Sequence, residues 1–270
     1  MHCRSRAPQA YRRLLSTVAV LLVAGCRPTT EHAAEKQIDR TYEIDPSASL
    51  SVRNASGSII IRGSDAAELK VRATMRAADA QRLSEIAVNV TAESDVVSIA
   101  TTFPPEKKRF SGGSGTVDYV LTVPRTVKIA RLDMGDGKVV LDGMHGSELA
   151  ATVVDGELAL RNCFSNARVD VANGSIEISY DRWGSNRFIL DARITNGDAH
   201  ISIPRGASFH LVAETLRGKL INHWAEAVEL NGRAPTKAEL VIGTEAQPDL
   251  KIRATTGDIK ISQTTAIARD

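Results

Sequence analysis

The sequence predicts an all-β fold, built as a solenoid of stacked rungs about 20 residues long. In its central stretch, Val171–Ile178, a short apolar run meets Asn173 and Gly174, and alternating apolar and polar residues follow. Apolar residues make up 43% of the chain but aromatic residues only 4%, so the core must consist mainly of small aliphatic side chains, which suit a narrow, layered interior. Variants of this strand–bend–strand unit recur around Gly57, Gly137, Gly156, Gly197 and Gly257.

The spacing of the turn glycines favours stacked rungs over separate hairpins. From Gly137 to Gly218 they follow one another at 19, 18, 23 and 21 residues, and Gly257 comes 39 residues later. Asn-Gly and Asp-Gly are also hairpin signals, but Arg217 and Thr256, which precede two of these glycines, suit a type I′ turn poorly. A rung buries too few side chains to fold alone, so its neighbours must stabilise it.

The first 25 residues are typical of a targeting segment. An apolar run over 14–24 is too short to cross a bilayer, and it ends in small residues before Cys26. The tetrapeptide Val23–Cys26 resembles the bacterial lipoprotein signal, which implies acylation of Cys26 and attachment to the membrane through that lipid. An ordinary secretory peptide with a chance cysteine is the alternative. The basic residues that precede the apolar run are Arg4, Arg6, Arg12 and Arg13.

The residues after Cys26 are polar and lack apolar periodicity. Residues 26–40 are therefore predicted to form a flexible tether between the lipid and the folded domain. Arg27 stands where an aspartate is associated with inner-membrane retention in many Gram-negative lipoproteins. Resemblance to that rule implies export to the outer membrane.

Removal of the leader changes the balance of charge. The formal net charge of +2 for the whole chain becomes −2, because residues 1–25 contain four arginines and no acidic residue. No clustered basic surface for nucleic acid is predicted. Cys163 is then the single cysteine left besides Cys26, and we expect it to be a buried structural residue rather than a nucleophile.

Shorter elements precede the regular repeat, which begins at Val117. The irregular segments before Val117 and after Trp224 are predicted to cap the ends of the stack, because exposed edge strands invite pairing with other chains. Residues 103–116 contain two prolines and a Gly-Ser run typical of a loop. The other elements predicted here are strands around Leu50, Ile59 and Leu69, a short helix near 76–85 and a hairpin over 86–99.

The order of these motifs resembles a bacterial family of candidate adhesins with β-strand repeats, domain of unknown function 4097 (DUF4097). The resemblance rests on the recurring Thr/Asn-Gly-Asp/Ser-Ile-x-Ile unit, the strand Val117–Pro124 and the pair Gly143 and Gly146, over about residues 45–262. It implies a right-handed, single-stranded β-helix-like domain over 41–265, an extracytoplasmic location and no established enzyme activity. The stretch 217–220 departs from the family unit, so we expect the rung near Trp224 to be distorted.

No catalytic residue, metal site or cofactor is predicted. Stacked aspartates on a β-helix can bind calcium or act as acid and base, but aspartate also simply favours turns. Asp136 and Asp155 precede their glycines whereas Asp198 and Asp258 follow theirs, so the four carboxylates need not align. No pair among the histidines has metal-ligand spacing; these are His145, His200, His210 and His223.

One connection carries candidate ligand-binding residues. Tyr180, Arg182 and Trp183 interleave aromatic and basic side chains before Phe188, as in a platform for sugar or peptide, although packing over a sheet edge also explains them. The sequence thus predicts a non-enzymatic, lipid-anchored envelope protein with an adhesin-like binding or scaffolding role and an unknown protein or polysaccharide partner. The alternatives are a periplasmic signalling accessory or a β-helical carbohydrate-active enzyme, which an aspartate clustered with Arg or Lys on one face would favour.

Overall fold

Most of the described chain is β-structure, which confirms the all-β prediction. The computed structural model describes residues 34–103, 115–184, 187–224, 236–243 and 248–264, and the strands in these ranges form one open, 15-stranded sheet. The elements are β1 (Ala34–Glu43), β2 (Ser49–Ser64), β3 (Glu68–Ala77), α1 (Ala80–Glu85), β4 (Ala87–Ala92), β5 (Val96–Thr102), β6 (Thr116–Pro124), β7 (Lys128–Asp142), β8 (Glu148–Arg161), β9 (Asn166–Ser179), β10 (Ile189–Pro204), β11 (Phe209–Arg217), β12 (Leu220–Asn222), β13 (Lys237–Ile242), β14 (Asp249–Thr256) and β15 (Ile259–Thr264).

Five long strands, β2 and β7 to β10, stack in parallel and bend at a glycine near their middle. In β9 the buried side chains before the bend include Val169 and Val171, and those after it are Ile176 and Ile178. The alternation changes phase at Gly174, so both halves of the strand turn their apolar side chains toward the same core. The glycines at these bends lie side by side in register: Gly57, Gly137, Gly156, Gly174 and Gly197.

The glycine column has no room for a side chain. Gly174 has a φ of 132°, a region that residues with a Cβ rarely adopt. A Cβ added there would also overlap the carbonyl oxygen of Gly156, and Gly257 stands in the same relation to Gly197. Glycine is thus required both for the bend and for the close approach of neighbouring rungs.

Core residues that lie in register just before the bends form a column across the stack. The residue at each end of this column is polar. At the first end the amide of Asn54 donates to the carbonyl oxygens of Val117 and Ser56, at 2.8 and 3.0 Å. At the other end the hydroxyl of Thr215 donates to the carbonyl oxygen of Gly257 at 2.8 Å. In spatial order the column is Asn54, Met134, Val153, Val171, Ile194, Ala254 and Thr215.

The N-terminal end of the stack forks at β2. The first half of β2 pairs with β5, which pairs with β4 in the predicted hairpin. The second half pairs with β6, and β3 and β1 extend this branch as antiparallel strands. The segments before Val117 therefore cover this end, as predicted.

Two predicted boundaries at this end are wrong. The helix begins at Ala80 rather than near residue 76, because the carboxylate of Asp79 caps it by accepting from the backbone N–H of Arg82. Residues 34–40, predicted as tether, belong to β1, which pairs with β3 along its full length. Ile38 lies half-buried among polar neighbours in β1, so the strand shows little apolar periodicity.

The C-terminal rung is inserted between two rungs that precede it in sequence. The strands β14 and β15 pair in parallel with β10 on one side, and with β11 and β12 on the other. The rung of β11 and β12, which contains the divergent stretch 217–220, therefore lies beyond the inserted rung and not next to β10. Its second half is short, since β12 has three residues, and β13 pairs antiparallel with the outer edge of β11.

All the described residues belong to one compact unit, residues 32–270. The leader, Cys26 and the first part of the predicted tether lie outside the described residues. In the part of the chain that is described, no helix is long and apolar enough to span a bilayer. The right-handed course and the rung length of about 20 residues stay predictions.

Candidate functional site

A groove of about 410 Å³ lies where the connections between successive rungs come together. Because the rungs stack in register, their connections stack as well: the backbone N–H of Phe164 donates to the carbonyl oxygen of Met144 at 2.8 Å, and that of His145 to Arg125 at 2.7 Å. Residues far apart in sequence therefore line one surface. The side chains that define this groove are Arg125, Asp142, His145, Asn162, Phe164, Arg182 and Trp183.

Aromatic rings fix the position of Trp183 in the groove. Its ring meets Tyr180 edge-on, with centroids 5.0 Å apart, and lies 6.0 Å from Phe209. The indole N–H donates to the carbonyl oxygen of Ser208 at 3.0 Å. Trp183 remains partly exposed, so it offers an anchored aromatic surface to the groove.

Tyr180 lies beneath this surface and does not form part of it. Only 1% of Tyr180 is exposed, its ring also packs on Phe164 at 5.4 Å, and burial raises the pKa of its phenol well above the usual value. The prediction that Tyr180 contacts a ligand is therefore wrong. It supports Trp183 from below.

Two arginines give the groove its positive charge. Arg125 pairs through Nη2 with Oδ1 of Asp65 at 2.8 Å, while its Nε is buried without a hydrogen-bond partner. Arg182, predicted from sequence, lines the same groove and is exposed. Both guanidinium groups are thus brought to one groove with Trp183.

His145 and Asn162 complete the lining. The ring of His145 stands edge-on to Phe164, with centroids 5.2 Å apart. Burial and the nearby charge of Arg125 lower the pKa of His145, against an opposing effect of Asp65, so the imidazole is neutral near pH 7. Asn162, with a φ of 48°, exchanges two hydrogen bonds with Asp181 at 2.8 and 3.0 Å, which hold the connection that carries Arg182.

The four aspartates beside the turn glycines form two separate columns. Asp136 lies beside Asp155, whose carboxylate accepts from the amide of Asn173 at 2.8 Å. Asp198 instead accepts from the backbone N–H of Asp258 at 2.7 Å, and Asp258 accepts from that of Lys219 at 2.7 Å. Within the described ranges, no three His, Cys, Asp or Glu side chains group as metal ligands.

The remaining candidates lie on other surfaces or in the core. His200 contacts the hydroxyl of Ser262 at 2.8 Å, and His210 bridges Asp249 and Glu239, each at 3.0 Å. His200 and His210 do not pair with each other. Cys163 is buried as predicted, and burial raises the pKa of its thiol to about 12, so it is not a nucleophile at neutral pH.

One aspartate clusters with arginines on the outer face of the sheet, the arrangement that would favour an enzyme. Asp191 lies 2.6 Å from Arg193 and 2.6 Å from Arg253. Burial acts to raise the pKa of Asp191, but the hydrogen bonds from the two arginines outweigh it and lower the pKa. A carboxylate held ionised in this way is a poor general acid.

The parallel stack of glycine-bent strands defines a β-repeat protein, with a groove on the connections between its rungs. Residues 109–215 match the model of the Toastrack DUF4097 family. This match confirms the resemblance to DUF4097 that the repeat motifs indicate. Among curated proteins, none matches the sequence.

Several solved structures match this chain over most of its length. A candidate cell adhesion protein from Clostridium sporogenes is similar with a TM-score of 0.50 and 11% identity, over 85% of this chain and 100% of that chain. A candidate adhesin from Bacteroides fragilis has a TM-score of 0.32 and 11% identity, over 84% and 97%. A candidate lipid binding protein from Parabacteroides distasonis has a TM-score of 0.28 and 10% identity, over 85% and 97%. At these identities the first similarity concerns the fold alone, and the other two are too low to support an inference.

Proposed function

We propose that this chain is a lipid-anchored protein of the bacterial cell envelope, exported to the outer membrane, with a non-catalytic, adhesin-like binding role. Its stacked strands would form a right-handed solenoid that serves as a rigid support, and its leader would direct acylation of Cys26. The match of residues 109–215 to the Toastrack DUF4097 model supports this role.

The single observation that carries the proposal is the groove at the connections. It combines an anchored indole, two guanidinium groups and a neutral imidazole on a surface held by backbone hydrogen bonds between rungs. Concave sites with aromatic walls and a few convergent polar groups are typical of ligand binding. The groove contains one carboxylate, that of Asp142, whereas the aspartates considered for the enzyme alternative lie elsewhere, in two columns at the bends or paired with arginines.

The binding role is tested with envelope fragments from a Gram-negative host. The purified domain without its leader is sedimented with these fragments, and bound protein is measured. Arg182→Glu reverses a charge in the groove and should lower the bound fraction by about tenfold, the loss expected for a charge-assisted contact. Arg187→Glu is the matched control, because Arg187 is exposed in the same connection but does not line the groove. Equal binding by both variants would contradict a role for the groove.

The lipid anchor requires a separate experiment. The full chain and a Cys26→Ala variant are expressed, and the envelope is separated into membrane and soluble fractions. We expect the chain with Cys26 intact in the outer-membrane fraction and the Cys26→Ala variant in the soluble periplasmic fraction. Soluble protein with Cys26 intact would overturn the lipoprotein assignment.

A further inference from the structure

We infer that the groove binds a carboxylated sugar, such as a uronic acid unit of an acidic polysaccharide, with the ring on Trp183 and the carboxylate at Arg125 and Arg182. This inference rests on the proposed binding role and names its ligand class. It follows from the shape of the groove, its charge and its hydrogen-bonding groups.

The aromatic surface favours a sugar ring. Trp183 cannot turn away, because its N–H is bound to Ser208 and its ring is held by Tyr180 and Phe209. An anchored aromatic ring with its polar edge satisfied presents an apolar face, which matches the C–H face of a pyranose. The volume of about 410 Å³ lies within the usual range for small-ligand sites.

The arginines favour a carboxylate. Arg125 is held by one ion pair, to an Asp65 side chain that is 86% exposed, and such exposed pairs are weak and exchangeable. A guanidinium group presents a planar fork of donors that fits a carboxylate with two parallel hydrogen bonds. Arg182 forms no ion pair with another described residue, so it is available for the same anion.

The charge balance favours a single negative charge. Asp65 offsets one of the two arginines. Asp142 also lines the groove, and its in-register neighbours on the two adjacent strands are Arg62 and Arg161. His145 adds no charge near pH 7, because burial and Arg125 lower its pKa against the opposing effect of Asp65. Two arginines beside two aspartates, Asp65 and Asp142, suit a singly charged carboxylate better than a doubly charged phosphate.

The neutral imidazole also distinguishes a sugar from an acidic peptide. A neutral imidazole has one donor and one acceptor nitrogen, which is the pairing that a sugar hydroxyl requires. A glutamate side chain would place an aliphatic stem over Trp183, and its ionised carboxylate has no donor for the acceptor nitrogen of His145. We therefore assign the groove to an acidic saccharide, and an acidic peptide becomes an alternative outcome of the test.

The test is calorimetric titration of the purified domain with trigalacturonate, its fully methyl-esterified form, a glutamate-rich peptide and inorganic phosphate. We expect trigalacturonate to bind at least about tenfold more tightly than its ester, since the two differ only in charge and in the groups that pair with arginine. Equal affinity for acid and ester would overturn the inference. So would tighter binding of the peptide or of phosphate.

Three variants locate the binding site. Arg182→Gln should weaken trigalacturonate binding by about tenfold and leave binding of the ester unchanged. Trp183→Phe keeps an aromatic ring in the packing but shortens the surface, and should weaken both saccharides equally. Arg187→Gln should change neither. Melting curves confirm that each variant is folded, and a loss of binding in Arg187→Gln equal to that in Arg182→Gln would contradict the assignment.

Failure of this inference can be separated from failure of the proposed function. If Arg182→Glu abolishes sedimentation with envelope fragments while trigalacturonate does not bind, the binding role stands and the carboxylated sugar is wrong. If substitution of Arg182 changes neither sedimentation with envelope fragments nor binding of trigalacturonate, both the binding role of the groove and the proposed ligand are wrong.

Discussion

The middle of the stack and its C-terminal end use the same sequence unit in different spatial orders. From β7 to β10 each rung lies beside the next one in the chain. At the C-terminal end the last rung, β14 and β15, separates β10 from β11. The glycine bends remain in register through both regions. The contact between glycine bends on neighbouring strands therefore sets the register of the strands. The segments that connect one rung to the next set the spatial order of the rungs.

The largest expected effect comes from removing the inserted rung. Truncation after Gly243 removes β14 and β15, leaving β10 and β11 without their shared neighbour and exposing core residues on both sides. We expect the cooperative thermal transition, followed by circular dichroism, to disappear or to fall by more than about 10 °C, because each rung depends on its neighbours.

Truncation after Thr264 is the control, since it keeps β15 entire, and should melt like the full domain. If the protein truncated after Gly243 melts at the temperature of the full domain, β10 and β11 pair directly in it. The C-terminal end would then behave like the middle.

The next effect comes from filling the glycine column. Gly174→Ala adds a Cβ at a φ of 132° and against the carbonyl oxygen of Gly156, so strain and overpacking should together cost about 2–4 kcal/mol in urea unfolding. Gly206→Ala separates the two causes, because Gly206 has a φ of 80° but no atom near its Cβ position, and should cost about 1 kcal/mol.

Gly257→Ala extends the same measurement to the inserted rung, where the Cβ would meet Gly197. A cost similar to that of Gly174→Ala would show that the inserted rung is held as tightly as those in the middle. A much smaller cost would show that it can shift to relieve the overlap.

A smaller effect is expected where the core column ends. Thr215→Val keeps the shape but removes the buried hydrogen bond to Gly257 at 2.8 Å, and should lower the free energy of unfolding by about 1–2 kcal/mol. Thr215→Ser retains the hydroxyl and should lower it by less. If Thr215→Val has a higher free energy of unfolding than Thr215→Ser, the buried hydroxyl at this end of the column does not stabilise the last rungs.

The smallest effect depends on pH and concerns His210, which joins β11 to β13 and β14. Hydrogen bonds from His210 to Asp249 and Glu239 raise its pKa above the usual 6.5, against a small opposing effect of burial. The stabilisation is therefore complete below pH 6.5 and is lost as the pH rises through the pKa in the folded protein. His210→Gln should cost less than about 1 kcal/mol at pH 5.5, because solvent screens the pair, and nearly nothing at pH 9.

The matched control lies in the middle of the stack. Lys138 pairs with Glu157 at 2.9 Å, in an ion pair that contains no histidine. Lys138→Gln should therefore have the same small effect at both pH values. An effect of His210→Gln that does not change with pH would contradict the ionic role of His210.

The sequence predicts the bends better than the order of rungs. The phase change of apolar alternation at Gly174 is visible in the residues themselves, because a bend that keeps both halves on one core requires it. The spacing of Gly218 and Gly257 indicates a repeat, but spacing does not say which rungs are neighbours. β1 was missed for another reason: ion pairs such as that of Asp39 with Arg72 at 2.7 Å hold a strand with few apolar residues.

The sequence predicts two residues of the groove but not the groove itself. Arg182 and Trp183 lie in one connection, where their interleaved pattern can be read along the chain. Arg125 and His145 come from two earlier connections, and only the stacking of rungs brings them to the same place. The available signal was their equivalent position just after a strand end, since Arg125 follows Pro124 and His145 lies between two glycines.

The inserted rung also affects when the fold can be completed. β14 and β15 follow β11 in the chain and are synthesised after it, so β10 and β11 exist before the strands that belong between them. The pairing of β10 with β14, and of β11 with β14, cannot form until β14 has been synthesised. Until then the facing edges of β10 and β11 stay open, and strands with open edges are the ones that can pair with other chains.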